Sequence, residues 1–401
     1  MVKVPAFEYA DDYWVADADG MTSRSARAAA SGPYRSVVPP TIASWVPDIP
    51  ADLSANVEEA SAALGRFDEH AAKILGTTSP TLGPMSSILL RTESASSSQI
   101  EDLTVDPRQL ALAEIEQSTS TNARTVVANV RAMEAALALA DRLDTDAILD
   151  MHRALLSGQR GWEDHAGRWR DQLVWIGTSA ISPRGASHVA PQAPLVPPAM
   201  DDLIGFVRRD DLPVLFQAAV AHAHFEVIHP FVDGNGRTGR AMIHSILRAK
   251  GIVTATTAPV SAGLLTQTEG YFAALSAYRD GDARPIVERV ADAARFAASS
   301  GSQLVDDLSS QVDAARAQLS GLRRQAAAWR VVPHLVSHPV VNARFLDEHL
   351  GMVGQTAQNA LSQLTEAGVL TERTGLRRNR VWEHSGILTV LDQYAQSLLG
   401  R

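Results

Sequence analysis

His229-Pro230-Phe231-Val232-Asp233-Gly234-Asn235-Gly236-Arg237-Thr238-Gly239-Arg240 is the stretch of this 401-residue chain that decides its fold. It contains one imidazole, one carboxylate, a glycine-rich turn and two arginines, in that order. We expect the turn to lead directly into a helix from Arg237 to Lys250. Backbone N–H groups at a helix start, approached closely across glycines, form an anion site, and arginines neutralise further phosphate charge. The segment therefore predicts a phosphate site, with His229 as a base and Asp233 as a Mg²⁺ ligand.

Three other interpretations of this segment fit less well. Gly234 to Gly239 matches the dinucleotide pattern G-x-G-x-x-G, but a helical pattern precedes it, and no acidic residue follows at about twenty residues. His222 and His224, taken with the motif's histidine and aspartate, match no zinc-site spacing. A plain surface turn has no need of a histidine, an aspartate and two arginines around Gly-Asn-Gly.

The composition excludes several classes of protein. The net charge of −9 argues against a general nucleic-acid binder, so nucleic-acid contact would need a local basic patch. The chain has no cysteine, which excludes disulfides, thiolate metal sites and a cysteine nucleophile. Residues 1–20 lack the apolar segment of a signal peptide, and no run of about 18 apolar residues exists. We therefore expect a cytoplasmic protein that does not enter a membrane.

The apolar spacing predicts a mainly helical fold. The predicted helices are Asp52–Leu75, Met85–Ile100, Thr121–Arg142, Asp144–Leu156, Ala199–Arg208, Leu212–Val227, Arg237–Lys250, Thr268–Tyr278 and Ala283–Ser299. The first forty residues are expected to form an irregular arm. Residues 161–198 are rich in glycine and proline, and we expect there a loop that carries a small hairpin, Gln172 to Ile176 with His188 to Val189.

The last hundred residues have a different pattern. A polar helix from Ser302 to Arg330 is expected to join domains. It is followed by two short helices (Asn342–Leu350 and Gln355–Ala367) and by two extended pieces, Val369–Thr374 and Arg380–Glu383, that pair across residues 375–379. This is the order of a winged helix. Four arginines cluster at the proposed wing: Arg373, Arg377, Arg378 and Arg380. Such a domain binds either DNA or protein, and the pattern leaves both open.

The central segment resembles the signature of the Fic family, His-x-Phe-x-(Asp/Glu)-Gly-Asn-Gly-Arg-x-x-Arg, at every specified position. The lead-in Ala221–Ile228 and the run Gly167-Arg168-Trp169-Arg170 are also similar to that family, over roughly residues 52–298. The resemblance implies a Fic-type helical bundle with a β-hairpin flap and a C-terminal winged helix. We divide the chain accordingly into an arm (1–50), an N-terminal helical region with an inhibitory helix (51–140), a catalytic core (141–300), a linker helix (301–330) and a winged-helix domain (331–401).

The resemblance also implies the reaction, transfer of AMP from ATP to a Tyr, Ser or Thr hydroxyl of a target protein or of the chain itself. His229 would deprotonate the hydroxyl, and Asp233 would hold Mg²⁺. The implied ATP-binding residues are Glu101, His229, Gly234, Asn235, Gly236, Arg237, Thr238, Gly239, Arg240 and Tyr271, with Asn235 on the α-phosphate, Arg240 near the γ-phosphate and Tyr271 near the adenine. Lysine replaces Gly236 in the family branch that transfers phosphate, so glycine here favours AMP transfer.

A second resemblance lies upstream, in Ser96-Ser97-Ser98-Gln99-Ile100-Glu101-Asp102. It is similar to the family's inhibitory segment, (Ser/Thr)-x-x-x-Glu-(Gly/Asn), and implies that Glu101 pairs with Arg240 and blocks the γ-phosphate, with Ser97 on the same helix face. Asp102 departs from the usual Gly or Asn. Members with this glutamate also remove AMP, and members often form homodimers; the sequence leaves both open. The alternative function is a winged-helix DNA-binding regulator whose Fic domain senses nucleotide.

Overall fold

The structure is a computed structural model that describes residues 1–16, 23–75, 82–157, 159, 161–177, 179–373 and 380–399. This part of the chain is mainly helical. Its α-helices are α1 (Arg24–Ala30), α2 (Ala51–Leu75), α3 (Leu82–Gln99), α4 (Pro107–Glu114), α5 (Thr121–Ala138), α6 (Thr145–Leu156), α7 (Val196–Val207), α8 (Val214–Ile228), α9 (Asn235–Ala249), α10 (Val260–Leu265), α11 (Thr268–Arg279), α12 (Arg284–Gln318), α13 (Ala328–Val331), α14 (Ala343–Leu350), α15 (Gln355–Glu366) and α16 (Ser385–Leu399).

The strands of the described residues are short. They are β1 (Glu8–Trp14), β2 (Gly32–Val38), β3 (Trp175–Ile176), β4 (His188–Val189), β5 (Val340–Asn342), β6 (Thr371–Glu372) and β7 (Val381–Glu383). β1 pairs with β2 and β3 with β4, both antiparallel, while the third sheet has the order β5-β7-β6. No helix in this part of the chain combines the length and apolar content needed to cross a bilayer.

The predicted helices between residues 52 and 279 are confirmed, with ends shifted by a few residues, and so is the hairpin that became β3 and β4. The irregular arm was wrong, because residues 8–14 and 32–38 form a paired hairpin around α1. β1 was missed because most of its side chains, including its acidic residues, are exposed, so it carries no apolar stripe. The small helices α4 and α10 and the C-terminal helix α16 were also not predicted.

The break predicted between residues 299 and 302 was wrong, because α12 runs without interruption from Arg284 to Gln318. Gly301 lies inside this helix. A Cβ atom there would come within 2.8 Å of Phe67 Cε2 and 3.2 Å of Pro259 Cδ. The glycine therefore permits close packing against α2 and does not mark a helix end. The helix also stops at Gln318, earlier than the predicted Arg330.

The chain divides into two compact units. The first contains Met1–Glu59, Ala132–Lys250 and Glu269–Ala291. Its centre is α8, which is buried on nearly every face and contacts α7 and α9. A helix that is apolar all round is typical of a core position. The N-terminal hairpin holds the β3–β4 loop in this unit, since Ser182 Oγ donates to Ala30 O (2.6 Å) and Trp14 Nε1 donates to Ile181 O (2.9 Å).

The second unit contains Ala60–Arg131, Gly251–Thr268 and Asp292–Arg401. Its centre is α3, which buried polar groups fix in place. Glu93 on α3 accepts from the backbone N–H of Ser261 at the start of α10 (2.8 Å), and Asn129 on α5 donates to Ser94 O (2.8 Å). Arg91, also on α3, forms an ion pair with Glu114.

The C-terminal part of this unit has the predicted order of two helices and a hairpin. α14 and α15 are followed by β6 and β7, which pair with Thr371 opposite Glu383. β5 adds a strand to the sheet on the other side of β7 and was not predicted. The turn at residues 375–379, with Arg377 and Arg378, lies outside the described residues. The assignment of this region as a winged helix stays a prediction.

Candidate active site

The central motif forms a bend between α8 and α9. α8 ends at His229, whose backbone is left-handed (φ 48°, ψ 61°) while its N–H bonds to Phe225 O (2.8 Å). A non-glycine residue rarely adopts this conformation, which is costly and is often found at functional sites. Gly234 then turns the chain with φ 78°. A Cβ atom at Gly234 would lie 2.8 Å from Leu155 Cδ2, so both the backbone angle and the space require glycine.

Asn235 closes the bend. Its Oδ1 accepts from Phe231 N and its Nδ2 donates to Phe231 O, both at 2.9 Å. Both ends of the side chain are therefore used within the bend, and the predicted contact of Asn235 with the α-phosphate stays a prediction. The first helical bond of α9 joins Thr238 N to Gly234 O. The N–H groups of Asn235 and Gly236 precede that bond and lie at the positive end of the helix dipole.

Arg170 fixes the end of α8 from the opposite side. Its side chain is 4% exposed and donates to four backbone carbonyls. These are His229 O (2.8 Å), Ile228 O (3.3 Å), Gln172 O (2.8 Å) and Pro191 O (2.7 Å). Burial lowers the pKa of Arg170 to about 10, so the guanidinium stays charged at neutral pH. Its charge therefore strengthens the bonds to the carbonyls that α8 leaves without helical partners.

His152 supports the bend from α6. Its Nδ1 accepts from Gly167 N (3.0 Å), so the proton is on Nε2, which donates to Asp233 O (3.0 Å). Its ring stacks on Phe231 with centroids 3.6 Å apart. Burial, followed by the charge of Arg237, lowers the pKa of His152 to about 4. The imidazole is therefore neutral at pH 7 and serves as a fixed hydrogen-bonding support.

Two buried arginines follow the bend on α9. Arg237 and Arg240 have relative exposures of 3% and 2%. Arg237 Nη2 lies 3.1 Å from Asp233 Oδ2, and the aspartate side chain is 40% exposed. Buried guanidinium groups beside a helix start suit a polyanion, because they add charge to the backbone N–H groups without the cost of ordering surface side chains.

A partly exposed carboxylate with a neighbouring phosphate site fits Mg²⁺, which takes one or two protein carboxylates and completes its shell with phosphate and water. Asp233 meets this requirement. The described residues contain no group of three or more acidic or histidine side chains able to bind a metal by themselves. His222 and His224 are instead bonded to tyrosine hydroxyls, Tyr271 at 2.7 Å and Tyr278 at 3.1 Å.

Several other predicted residues are placed as follows. Tyr271 on α11 is 1% exposed and stacks on His222, so it is packed as a core residue, and its contact with adenine stays a prediction. Thr238 is buried, and its hydroxyl has no hydrogen-bond partner among the described residues. A Cβ atom at Gly239 would lie 3.0 Å from Phe225 Cδ1 and 3.2 Å from Glu226 Oε1, so this glycine allows α8 and α9 to approach.

The predicted inhibitory segment lies in the second unit. Ser97 is fully buried on α3, but α3 ends at Gln99, so Glu101 lies on the following turn and not on the helix face that was expected. The turn closes with Glu101 N on Ser98 O (3.0 Å) and Asp102 N on Gln99 O (3.0 Å). Asp102 has φ 61°, the left-handed conformation that Gly and Asn adopt most easily. The pairing of Glu101 with Arg240 stays a prediction.

Sequence reasoning did not identify the supporting residues of the bend. Arg170 was noted only as part of a segment similar to the Fic family. Its role depends on hydrogen bonds to carbonyls that are distant in the sequence. His152 gave no signal, because an isolated histidine on a helix is usually a core residue. Both act on the backbone of the motif, which no local pattern reveals.

Residues 142–247 match the family model described as Fic/DOC family, and residues 54–138 match the one described as Fic/DOC family N-terminal. The chain carries a Fic/DOC family domain. The residues matched by the Fic/DOC model include the bend, α8 and all but the last two residues of α9. A crystal structure of a Fic family protein from Desulfovibrio desulfuricans G20 is similar with a TM-score of 0.53 and 24% identity, covering 84% of this chain and 96% of that one, which supports the Fic fold.

Named relatives match over a shorter region. Protein adenylyltransferase fic-1 of Caenorhabditis elegans is 32% identical over 154 residues, which are 38% of this chain and 27% of that protein. Protein adenylyltransferase Fic of Nematostella vectensis is 28% identical over 154 residues, 38% of this chain and 32% of that protein. The chain thus spans less than a third of the length of these relatives.

Proposed function

We propose that this chain is a protein adenylyltransferase that transfers AMP from ATP to a hydroxyl of a target protein or of itself. The observation that carries the proposal is the bend between α8 and α9. It holds a histidine in a fixed left-handed conformation beside a helix start and two buried arginines. Two of the relatives are named protein adenylyltransferases, which supports the same reaction.

In this mechanism the chain's residues position the reacting groups and neutralise phosphate charge. These two effects provide most of the catalysis of phosphoryl transfer. His229 accepts the proton of the target hydroxyl as its oxygen attacks the α-phosphorus in line. The bond between the α-phosphorus and its bridging oxygen breaks, and pyrophosphate leaves. The N–H groups at Gly234 to Gly236 bind phosphate oxygens, while Arg237 and Arg240 bind the remaining phosphates.

Asp233 would hold Mg²⁺, which when bound neutralises charge on the phosphates. The hairpin of β3 and β4 would align the target segment by strand addition. His188 fixes this hairpin to α8, because its ring bonds to Val227 O (2.9 Å), and burial lowers its pKa to about 3, so it is neutral. The low pKa makes His188 a weak base, and His229 is the base in this proposal.

Glu101 would suppress the reaction by occupying the γ-phosphate position of Arg240, with Ser97 at the buried end of α3. The same glutamate would position water if the chain also removes AMP. The division into an arm, inhibitory region, core, linker and winged helix belongs to this proposal, as do a cytoplasmic location and a homodimer formed through the core. ATP, Mg²⁺ and a hydroxyl-bearing protein are its substrates and cofactor.

The alternative, a DNA-binding regulator, has little electrostatic support. Residues 331–401 contain six arginines, no lysine and six acidic residues. α15, the helix that would enter a groove, carries no basic residue. Of the four wing arginines, the two in the described residues are paired, Arg373 with Glu383 and Arg380 with Glu372. Phosphate binding needs uncompensated positive charge, so contact with protein is favoured.

Intact-mass analysis of the full chain, incubated with Mg²⁺ and each nucleoside triphosphate, tests the proposal. We expect Glu101→Gly to gain the mass of AMP with ATP, and Glu101→Gly combined with His229→Ala to gain none. Glu116→Gly, which removes the same charge at another helix end of the second unit, is the matched control and should behave as the parent. A phosphate adduct, or no adduct with any nucleotide, would overturn the assignment.

A further inference from the structure

Glu226 lies on the last turn of α8, three residues before His229. Its Oε2 is 3.7 Å from His229 Nδ1. Both side chains are largely buried, with exposures of 12% for Glu226 and 19% for His229. Burying a carboxylate is costly unless it interacts with a partner, and His229 is one partner of Glu226.

The space around Glu226 is made by a glycine of the central motif. A Cβ atom at Gly239 would lie 3.2 Å from Glu226 Oε1 and 3.0 Å from His222 Nδ1. A side chain at position 239 would therefore require the carboxylate and the ring of His222 to shift by a few tenths of an ångström. Gly239 thus preserves the position of Glu226 as well as the contact between the two helices.

The carboxylate faces Nδ1, one of the two ring nitrogens of His229. A carboxylate at Nδ1 favours the tautomer with the proton on Nδ1, so Nε2 carries the lone pair that accepts a proton. It also stabilises the imidazolium that forms when the proton is transferred. The separation of 3.7 Å exceeds a hydrogen bond, and such contacts commonly shorten when substrate binds.

Other charged or titratable groups near Glu226 and His229 make different interactions. Arg279 on α11 lies within electrostatic range of Glu226, and burial lowers the pKa of Arg279. Its positive charge favours the ionised form of Glu226. His188 lies within electrostatic range of His229 and is neutral because burial lowers its pKa to about 3. Arg170 uses its guanidinium on backbone carbonyls. Glu226 is thus a carboxylate within ion-pair distance of the imidazole.

We propose that Glu226 is a positioning residue that sets the tautomer and orientation of His229 and stabilises its protonated form during transfer. This inference rests on the proposed function for its kinetic consequences. The left-handed backbone and Arg170 fix the position of the His229 backbone. Glu226 fixes the orientation of its ring and determines which ring nitrogen is basic.

The test compares Glu226→Gln and Glu226→Asp, each in the Glu101→Gly background, by the rate of self-modification across pH. Glutamine keeps the shape and removes the charge. We expect a 10- to 100-fold slower rate and an acidic limb moved to lower pH by about one unit, because protonation of His229 becomes less favourable without the neighbouring charge. Aspartate should restore part of the rate. Glu288→Gln, at an exposed ion pair on α12, should change neither.

A second readout does not depend on activity. The ¹⁵N chemical shifts of the His229 ring report its tautomer directly. We expect protonated Nδ1 and basic Nε2 in the parent, and a mixture of tautomers in Glu226→Gln. An unchanged tautomer, or an unchanged rate and acidic limb, would overturn the role of Glu226. If Glu101→Gly forms no AMP adduct while the tautomer changes as expected, the proposed function fails and this inference stands.

Discussion

Three of the described helices are followed within three residues by a left-handed residue that is not glycine: His229 after α8, Asp102 after α3 and Glu116 after α4. The first two of these residues are held very differently. After α8, His229 has φ 48°, and the side chains of Arg170 and Asn235 fix the bend through buried hydrogen bonds. After α3, Asp102 has φ 61°, and the turn is closed by backbone bonds, with Asp102 exposed. The strained residue after α8 is held by hydrogen bonds from surrounding side chains. The strained residue after α3 is held by the backbone bonds of its own turn.

The difference agrees with the proposed tasks of the two segments. A base must hold its ring within a fraction of an ångström of a reacting hydroxyl, so a strained backbone persists there only if its surroundings determine it. An inhibitory glutamate has to leave its position for activity, and the exposure of Asp102 beside it lowers the cost of opening that end of the turn. The following variants test this contrast.

The largest change in stability is expected for substitution of Arg170, because its side chain donates hydrogen bonds to four carbonyls. Arg170→Ala leaves those acceptors buried without a donor and should lower the free energy of unfolding by about 3 kcal/mol or more. Five of the seven tryptophans lie in the first unit, so urea unfolding followed by tryptophan fluorescence reports this change. Arg170→Lys should recover part of it. A loss below about 1 kcal/mol would mean that the bend is held by other groups.

Gly234→Ala should cause the second-largest loss of stability. The added Cβ meets Leu155 at 2.8 Å and also forces alanine into φ 78°. Gly185→Ala shares the positive φ (73°) but has nothing within 4 Å, so it isolates the backbone contribution, about 1 to 2 kcal/mol. We expect the first variant to be destabilised by clearly more than the second in the same urea experiment. Equal losses would show that the contact with α6 is readily relieved.

The core behind α8 should respond to pH. Burial lowers the pKa of His224 to about 3 from its ordinary value of 6.5. The unfolded chain therefore binds a proton before the folded one does, so stability is present above pH 6.5 and is lost as pH falls toward 3. Replacing this residue, His224→Gln, should flatten the decline of urea midpoints below pH 6.5. His165→Gln, at a half-buried site, is the control, and a decline as steep as in the parent would contradict the assignment.

The smallest effect is expected at Asp102. Asp102→Gly removes the left-handed strain but adds freedom to the unfolded chain, so a net gain of about 0.5 kcal/mol is expected. Urea unfolding followed by circular dichroism would measure it. A loss of stability would show that the Asp102 side chain holds the turn, and the contrast between the two helix ends would then be smaller than described.

The sequence allowed most helices and the whole central motif to be predicted, since apolar spacing and a specific signature are local features. The predicted interruption between Ser299 and Ser302 was wrong, because Gly301 packs against Phe67, which lies more than two hundred residues away in the sequence. The residues that hold His229 in place were not predicted for the same reason, because they contact the bend from distant parts of the sequence. Arg170 acts through backbone carbonyls, whose use a sequence does not display. Glu101 was expected on a helix, and the turn that carries it depends on how α3 ends.

The central claim is that the bend after His229 directs AMP, and not phosphate, to a hydroxyl. Incubation of Glu101→Gly with Mg²⁺ and ATP labelled with ³²P at either the α- or the γ-phosphate tests it directly. We expect protein-bound label from α-labelled ATP only, and none when His229→Ala is added. Label from the γ-position, or α-label that persists without the imidazole, would contradict the account.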